Sequence, residues 1–354
     1  MVDLRKRIKG RIKMTVSAFR NDCRFSLKLA IYRMLDDLCW RFGPRKVAQH
    51  YHEKKDAWIM NFLHRELGDV VADFKEDTDV GRFQENAPIW VCWWTGEETA
   101  PELVKQCIRS IRANAGSHPV YLIDKNNYSQ YLEIPEYMLE KVSSGKMGLA
   151  HLADYIRVSL LAEKGGLWLD ATIFCAGPIL ESCFDAPFFT CRSKEQPSYY
   201  LSRMRWVTFI LAGWKGNLLF RYLKCAFEEY WKNQPTAVDY LMFDDLIELG
   251  CREIDGVRKL INEVPENNLR RDDLQAAMNR AADAEEWDSI VQPDTVFYKL
   301  SWRESYAEAT PEGIESIFGH FIRKEIMIDN GFRENYHLDR QTDRQTDRQT
   351  EFLR

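Results

Sequence analysis

The sequence predicts an α/β protein with an N-terminal helical extension, and three observations carry that reading. Residues 88–123 pass from a short apolar run through an amphipathic stretch to a second apolar run, the pattern of a βαβ unit on a parallel sheet. A second passage, from helix to strand, spans 148–174 and turns on Gly165-Gly166. Ahead of both, residues 1–75 show helical spacing and a basic start, and the polar stretch 75–87 joins them to the rest.

The elements follow in order. Apolar positions at Phe25, Leu27, Leu29, Ile31, Met34, Leu35 and Leu38 predict a helix over 1–42, stopped by Gly43-Pro44. A second helix is expected over 46–74. Ile89 to Trp94 is apolar throughout, as a buried parallel strand would be. Thr99, Pro101 and Glu102 suit a capping box, opening a helix whose stripe is Leu103, Val104, Cys107, Ile108 and Ile111. Gly116 ends it, and Val120–Ile123 is the next strand. A helix over 148–164 leads through the double glycine into a strand over 167–174. Helices at 217–232 and 238–249 and a late strand over 294–300 complete the core, 85–305. Residues 306–336 form a C-terminal extension. The tail, 337–354, repeats Asp-Arg-Gln-Thr three times between Asp339 and Thr350 and is expected to be disordered.

Composition narrows the function. The chain has 354 residues, 45% apolar and 29% charged, enough for one large or two ordinary domains. No run reaches about 18 apolar residues, so no transmembrane helix is expected, and no secretory h-region is written. Nine cysteines without CxxC spacing exclude a zinc ribbon and a disulfide framework and fit a reducing cytoplasm. Residues 1–50 hold 13 Lys/Arg and 4 Asp/Glu, whereas the whole chain is net −5. The body is therefore acidic, which does not suit a nucleic-acid binder.

The densest chemistry lies between His151 and Thr172. His151, Asp154 and Arg157 are three apart on one side of a helix, while Leu149, Leu152, Ile156, Leu160 and Leu161 form its core face. On the following strand Trp168, Asp170 and Thr172 share one side. An aspartate in an otherwise apolar strand needs a partner, a metal or the strand's open end. Ligands of open α/β sheets bind outside the carboxyl ends of strands, where Asp170 falls. Taken singly, each feature has a plainer reading: Asp154–Arg157 as a helix-surface ion pair, Asp170 as a turn cap, His151 as a packing histidine.

Ala150-His-Leu-Ala-Asp-Tyr-Ile-Arg157 with Gly165-Gly-Leu-Trp-Leu-Asp-Ala-Thr172 resembles the capsular polysaccharide synthesis glycosyltransferases, relatives of the yeast α-mannosyltransferases and clostridial glucosylating toxins with a DxD sugar-binding region. The resemblance spans 88–302. It includes Ile89-Trp-Val-Cys-Trp-Trp-Thr-Gly96, Asp124-Lys-Asn-Asn-Tyr128, Leu211-Ala-Gly-Trp-Lys-Gly-Asn217, Asp239-Tyr240 and Lys299-Leu-Ser-Trp302.

That resemblance implies a GT-A-like nucleotide-diphospho-sugar transferase fold, with 85–305 as catalytic domain, moving a hexose to a capsular or surface polysaccharide, with retention. Asp154 and Arg157 would hold donor-sugar hydroxyls. Asp170, as first Asp of DxD, would meet ribose and a Mn²⁺ or Mg²⁺ ion. Trp90 or Trp93 would lie against the base, and Ser301 and Trp302 would reach the leaving diphosphate. The second DxD position is here Thr172, a neutral ligand for a hard cation, so metal binding is expected to be weaker or completed by Asp244 or Asp245. The charge on the leaving group falls to the metal, Arg157, Lys299 or Arg303. Two other readings stand beside this one: a non-catalytic glycan-assembly subunit that has lost metal binding, and a sugar-phosphate transferase. The expected partners are a nucleotide-sugar donor and an oligosaccharide or lipid-linked acceptor; residues 1–42 read either as a helical bundle packed on the core with a solvated basic face or as an attachment to the anionic inner face of a membrane.

Overall fold

The computed structural model describes residues 18–196 and 199–323. The basic residues Arg5–Lys13, the Asp-Arg-Gln-Thr repeats and the end of the C-terminal extension lie outside the described residues. Residues 18–25 are helical, followed by α1 (Leu27–Phe42), capped by the Ser26 hydroxyl, which accepts from the Lys28 amide. Gly43-Pro44 turns the chain into α2 (Arg45–Glu66). The expected single helix over 46–74 is two, because the chain bends at Leu67 before α3 (Gly68–Phe74).

Strand β1 (Ile89–Cys92), helix α4 (Glu102–Asn114) and strand β2 (Val120–Ile123) form the predicted βαβ unit, with β1 and β2 parallel. The expected capping box does not form. Pro101 stands at the N-cap, and the Thr99 hydroxyl instead turns back to the carbonyls of Thr95 and Gly96. After α5 (Glu136–Ser143) comes α6 (Leu149–Lys164), ended by Gly165 at φ 68°. Gly166 is at φ 99°, and a Cβ there would stand 2.1 Å from the Pro88 carbonyl oxygen. Only glycine lets β3 (Gly166–Leu169) lie this close to the entry of β1.

The strand expected over 167–174 is broken. Asp170 closes β3, Ile173 donates to the Asp170 carbonyl across a turn, and the chain continues as β4 (Ile173–Cys175) in a different sheet. Strands β5 (Phe188–Thr190) and β6 (Ile210–Gly213) return antiparallel. The main sheet has the order β2-β1-β3-β6-β5, so it is mixed rather than wholly parallel. Helices α7 (Leu218–Asn233), α8 (Met242–Glu253) and α9 (Asp255–Asn262) follow. Strand β7 (Phe297–Lys299) pairs antiparallel with β4.

Side-chain alternation on the central strands separates two cores. Trp90, Trp168 and Leu211 face a core built from α6, α7 and α8, which α2 enters through Ile59, Met60, Phe62 and Leu63. Ile89, Val91, Leu167, Leu169, Ile210 and Ala212 face the other, built from α4 and the β4–β7 pair. The chain is thus a mixed α/β structure in which residues of the N-terminal hairpin share a core with the central sheet.

Candidate functional site

Register fixes where the site forms. Trp90 lies opposite Trp168, and Cys92 opposite Ile123. The carboxyl ends of β1, β2 and β3 therefore bring Trp93, Asp124 and Asp170 to one edge of the sheet, the edge where ligands of such sheets bind. The turn after β3 and the end of β7 add Thr172 and Lys299, joined by the Leu300 amide donating to the Thr172 carbonyl.

Asp170 is the centre. Its Oδ1 accepts from Arg157 Nη2 at 3.1 Å and from Trp168 Nε1 at 3.0 Å. Its Oδ2 accepts from Lys299 Nζ at 2.8 Å, and the same ammonium donates to Thr172 Oγ1 at 2.8 Å. Burial works against the charge on Asp170, but Lys299 and Arg157 outweigh it and hold the carboxyl below its ordinary range. Arg157 is buried, and its guanidinium lies between the rings of Trp168 at 4.9 Å and Phe243 at 5.2 Å. It also pairs with Asp154 at 3.4 Å. Burial pushes the Asp154 carboxyl up to about 7 despite that arginine. Asp244, at the start of α8, accepts from Trp206 Nε1 at 2.8 Å, and burial raises it to about 6.

The structure sorts the predicted residues. Asp154, Arg157, Asp170 and Thr172 come together, with Lys299. Trp90 does not join them: it is 3% exposed, stacks on Tyr121 and gives its indole N–H to the Gly165 carbonyl, so it is a packing residue. Trp93 is partly exposed and meets the ring of Trp302 edge-on at 5.7 Å. Trp302 is 42% exposed, with the Arg303 guanidinium over its face, and Ser301 precedes it at the end of β7. These two tryptophans form an aromatic rim. His151 packs away from Asp170, against Trp231 and Tyr240, its Nε2 3.3 Å from the Asp239 carbonyl. Leu149, expected in the core, is 49% exposed, because the first turn of α6 precedes the buried part. Asp245 is buried, with Asp239 and Asp56 as its leading acidic neighbours, and burial raises its pKa.

A divalent cation does not fit these residues as arranged. Both oxygens of Asp170 already accept from cationic side chains, and the Thr172 hydroxyl faces an ammonium. Among the described residues no three His, Cys, Asp or Glu side chains gather as a metal site. Sequence reasoning named Lys299 only as one of several cations and missed its place between Asp170 and Thr172. It also missed Phe243. Trp168 was legible as a neighbour of Asp170 on the same strand face; nothing in the sequence pointed to Phe243.

A family model described as capsular polysaccharide synthesis protein matches residues 41–321. That span covers α2, both sheets and every residue of the site. No curated protein and no solved structure matches the chain.

Proposed function

Because the chain belongs to the capsular polysaccharide synthesis protein family, we propose that it is a glycosyltransferase with a GT-A-like core, moving a hexose from a nucleotide-diphospho-sugar to a capsular or surface glycan. One observation supports this most: a carboxylate at the carboxyl end of the central strand, gripped by a buried arginine and a lysine. With Lys299 on one side of its Oδ2, Asp170 has one lone pair left for a sugar or ribose hydroxyl, while Lys299, backed by Arg157, is the cation offered to the leaving diphosphate. The Trp93–Trp302 rim offers apolar faces to a base or sugar ring. In the step, the bond from the anomeric carbon to the β-phosphate oxygen breaks and a bond to an acceptor hydroxyl oxygen forms. The acceptor proton passes to the leaving diphosphate. Front-side displacement through an oxocarbenium-like state, with retention, suits a site whose central carboxylate, Asp170, is held by Arg157 and Lys299. Purified chain incubated with UDP-, GDP-, ADP- and dTDP-hexoses tests the reading. Release of a nucleoside diphosphate supports it. Release of a monophosphate makes the protein a sugar-phosphate transferase, and binding without turnover makes it an assembly subunit.

We also propose that α1 holds the enzyme at an anionic membrane surface. Leu27, Ile31, Met34, Leu38 and Phe42 are exposed along one stripe of the helix. Arg20, Arg24, Lys28, Arg41, Arg45 and Lys46 are exposed around it. An apolar stripe with basic flanks fits a bilayer interface, and an acceptor carried on a lipid would be met there. No helix among the described residues is long and apolar enough to cross a membrane.

A further inference from the structure

We propose that the Lys299 ammonium is the resident cation of this site, so that nucleoside diphosphate is bound, and its charge neutralised on leaving, without a divalent metal. The inference rests on the nucleotide-sugar reading above.

The position is the first argument. Lys299 Nζ stands 2.8 Å from Asp170 Oδ2 and 2.8 Å from Thr172 Oγ1, the two side chains that a divalent ion would have to bridge. The backbone holds it there. Lys299 lies opposite Ile173 in the β4–β7 pair, the Leu300 amide donates to the Thr172 carbonyl, and the ammonium sits 4.8 Å from the Phe209 ring centroid. The lysine and the turn it bridges are therefore parts of one ladder rather than chance neighbours.

Charge is the second argument. Two carboxylates and a divalent cation sum to zero, and so do one carboxylate, one hydroxyl and one ammonium. Threonine at position 172 leaves one negative charge on the pair that a divalent ion would bridge, and the ammonium between them neutralises that pair; Arg157, paired with Asp154, adds a further cation on the other oxygen of Asp170. A metal added to the present arrangement would meet an ammonium already at hydrogen-bond distance from both of its ligands, a repulsion of like charges in a partly buried place.

Capacity is the third. An ammonium has three N–H donors, and Asp170 and Thr172 take two. The Lys299 side chain is 27% exposed, which leaves room for a third acceptor. Arg157 supplies a second fixed cation on the other oxygen of Asp170. A preorganised pair of this kind stabilises developing negative charge with little reorganisation.

The test is calorimetric titration of the full chain with UDP, GDP, ADP and dTDP, in EDTA and in Mn²⁺. The expected result is that the nucleotide that binds does so in EDTA, and that Mn²⁺ alters its Kd by less than about threefold. Lys299→Met should weaken binding about 30-fold, the value of one charge-assisted hydrogen bond. Lys299→Arg, which keeps the charge, should stay within about tenfold of wild type. The metal comparison is made on the wild-type chain and stands even where Lys299→Met fails to fold. Binding that requires Mn²⁺, or tightens about tenfold or more in it, overturns the proposal, as does wild-type affinity in Lys299→Met; the glycosyltransferase reading survives each of these. No binding of any of the four nucleotides in either buffer overturns both.

Discussion

Replacing Asp154 by asparagine should make the protein more stable and less active. The Asp154 side chain is 18% exposed, and burial pushes its carboxyl from 3.8 up to about 7, against the pull of Arg157. The sign follows from proton uptake. Between about pH 4 and pH 7 the folded chain keeps a proton at Asp154 that the unfolded chain releases, so this residue's cost to stability grows with pH and is complete above about 7. A rise of that size corresponds to roughly 4 kcal/mol at full ionisation. That figure already includes the pull of Arg157, so an asparagine, which stays neutral, recovers up to about 4 kcal/mol at full ionisation. Urea unfolding of Asp154→Asn and wild type at about pH 5 and about pH 8 should show the variant ahead at pH 8, with the gap reduced by about half or more at pH 5. Activity should fall above about pH 7, where the ionised Asp154 is one of two anionic anchors of Arg157. A variant less stable than wild type at pH 8, or a difference that does not change with pH, would refute the reasoning. Asp154 would then be a fully ionised partner of Arg157.

Further outcomes follow from other parts of the molecule. Arg157→Lys should lose most activity, since a lysine cannot lie flat between Trp168 and Phe243 while reaching both Asp154 and Asp170; nucleotide binding and turnover measure this. Trp302→Ala should weaken donor binding by about 1–3 kcal/mol and leave the melting temperature unchanged. Trp90→Ala should instead destabilise the fold by about 3–5 kcal/mol, because its indole fills a core against Tyr121 and Tyr131. Gly166→Ala should cost on the order of 3 kcal/mol or more, read by chemical denaturation, as the new methyl would drive β3 away from Pro88. Leu38→Glu with Phe42→Glu should abolish flotation of the full chain with anionic vesicles without changing its stability, and unchanged flotation would remove the membrane proposal.

What the sequence made legible was local. The apolar run at Ile89, the stripe on α4 and the double glycine at 165–166 each name an element through short-range chemistry, and all three are present. The helix holding Asp154 and Arg157 and the strand end holding Asp170 were legible for the same reason, because spacing alone sets the face. What escaped depended on contacts distant in sequence. The break between β3 and β4 arises because Ile173 pairs with Lys299, more than a hundred positions away, and no run of residues 167–174 announces it. Trp90 and Trp93 lie in one apolar run, and only the register with Trp168 and the contact with Trp302 separate the packing ring from the exposed one. The antiparallel strands β5 and β6 were missed because their four or fewer residues carry no alternation to read. Thr99 misled for a related reason: its spacing from Glu102 suits a capping box, but the preceding loop offered its hydroxyl nearer acceptors.

The proposed activity rests on Asp170. Release of nucleoside diphosphate from a matched nucleotide-hexose, with wild type and Asp170→Ala measured side by side and both shown to be folded by circular dichroism, tests it most directly. Release by wild type and a loss of more than about a hundredfold in Asp170→Ala are expected, since the variant leaves Arg157 and Lys299 without the carboxylate that places them. A folded Asp170→Ala protein that releases nucleotide at the wild-type rate would contradict it.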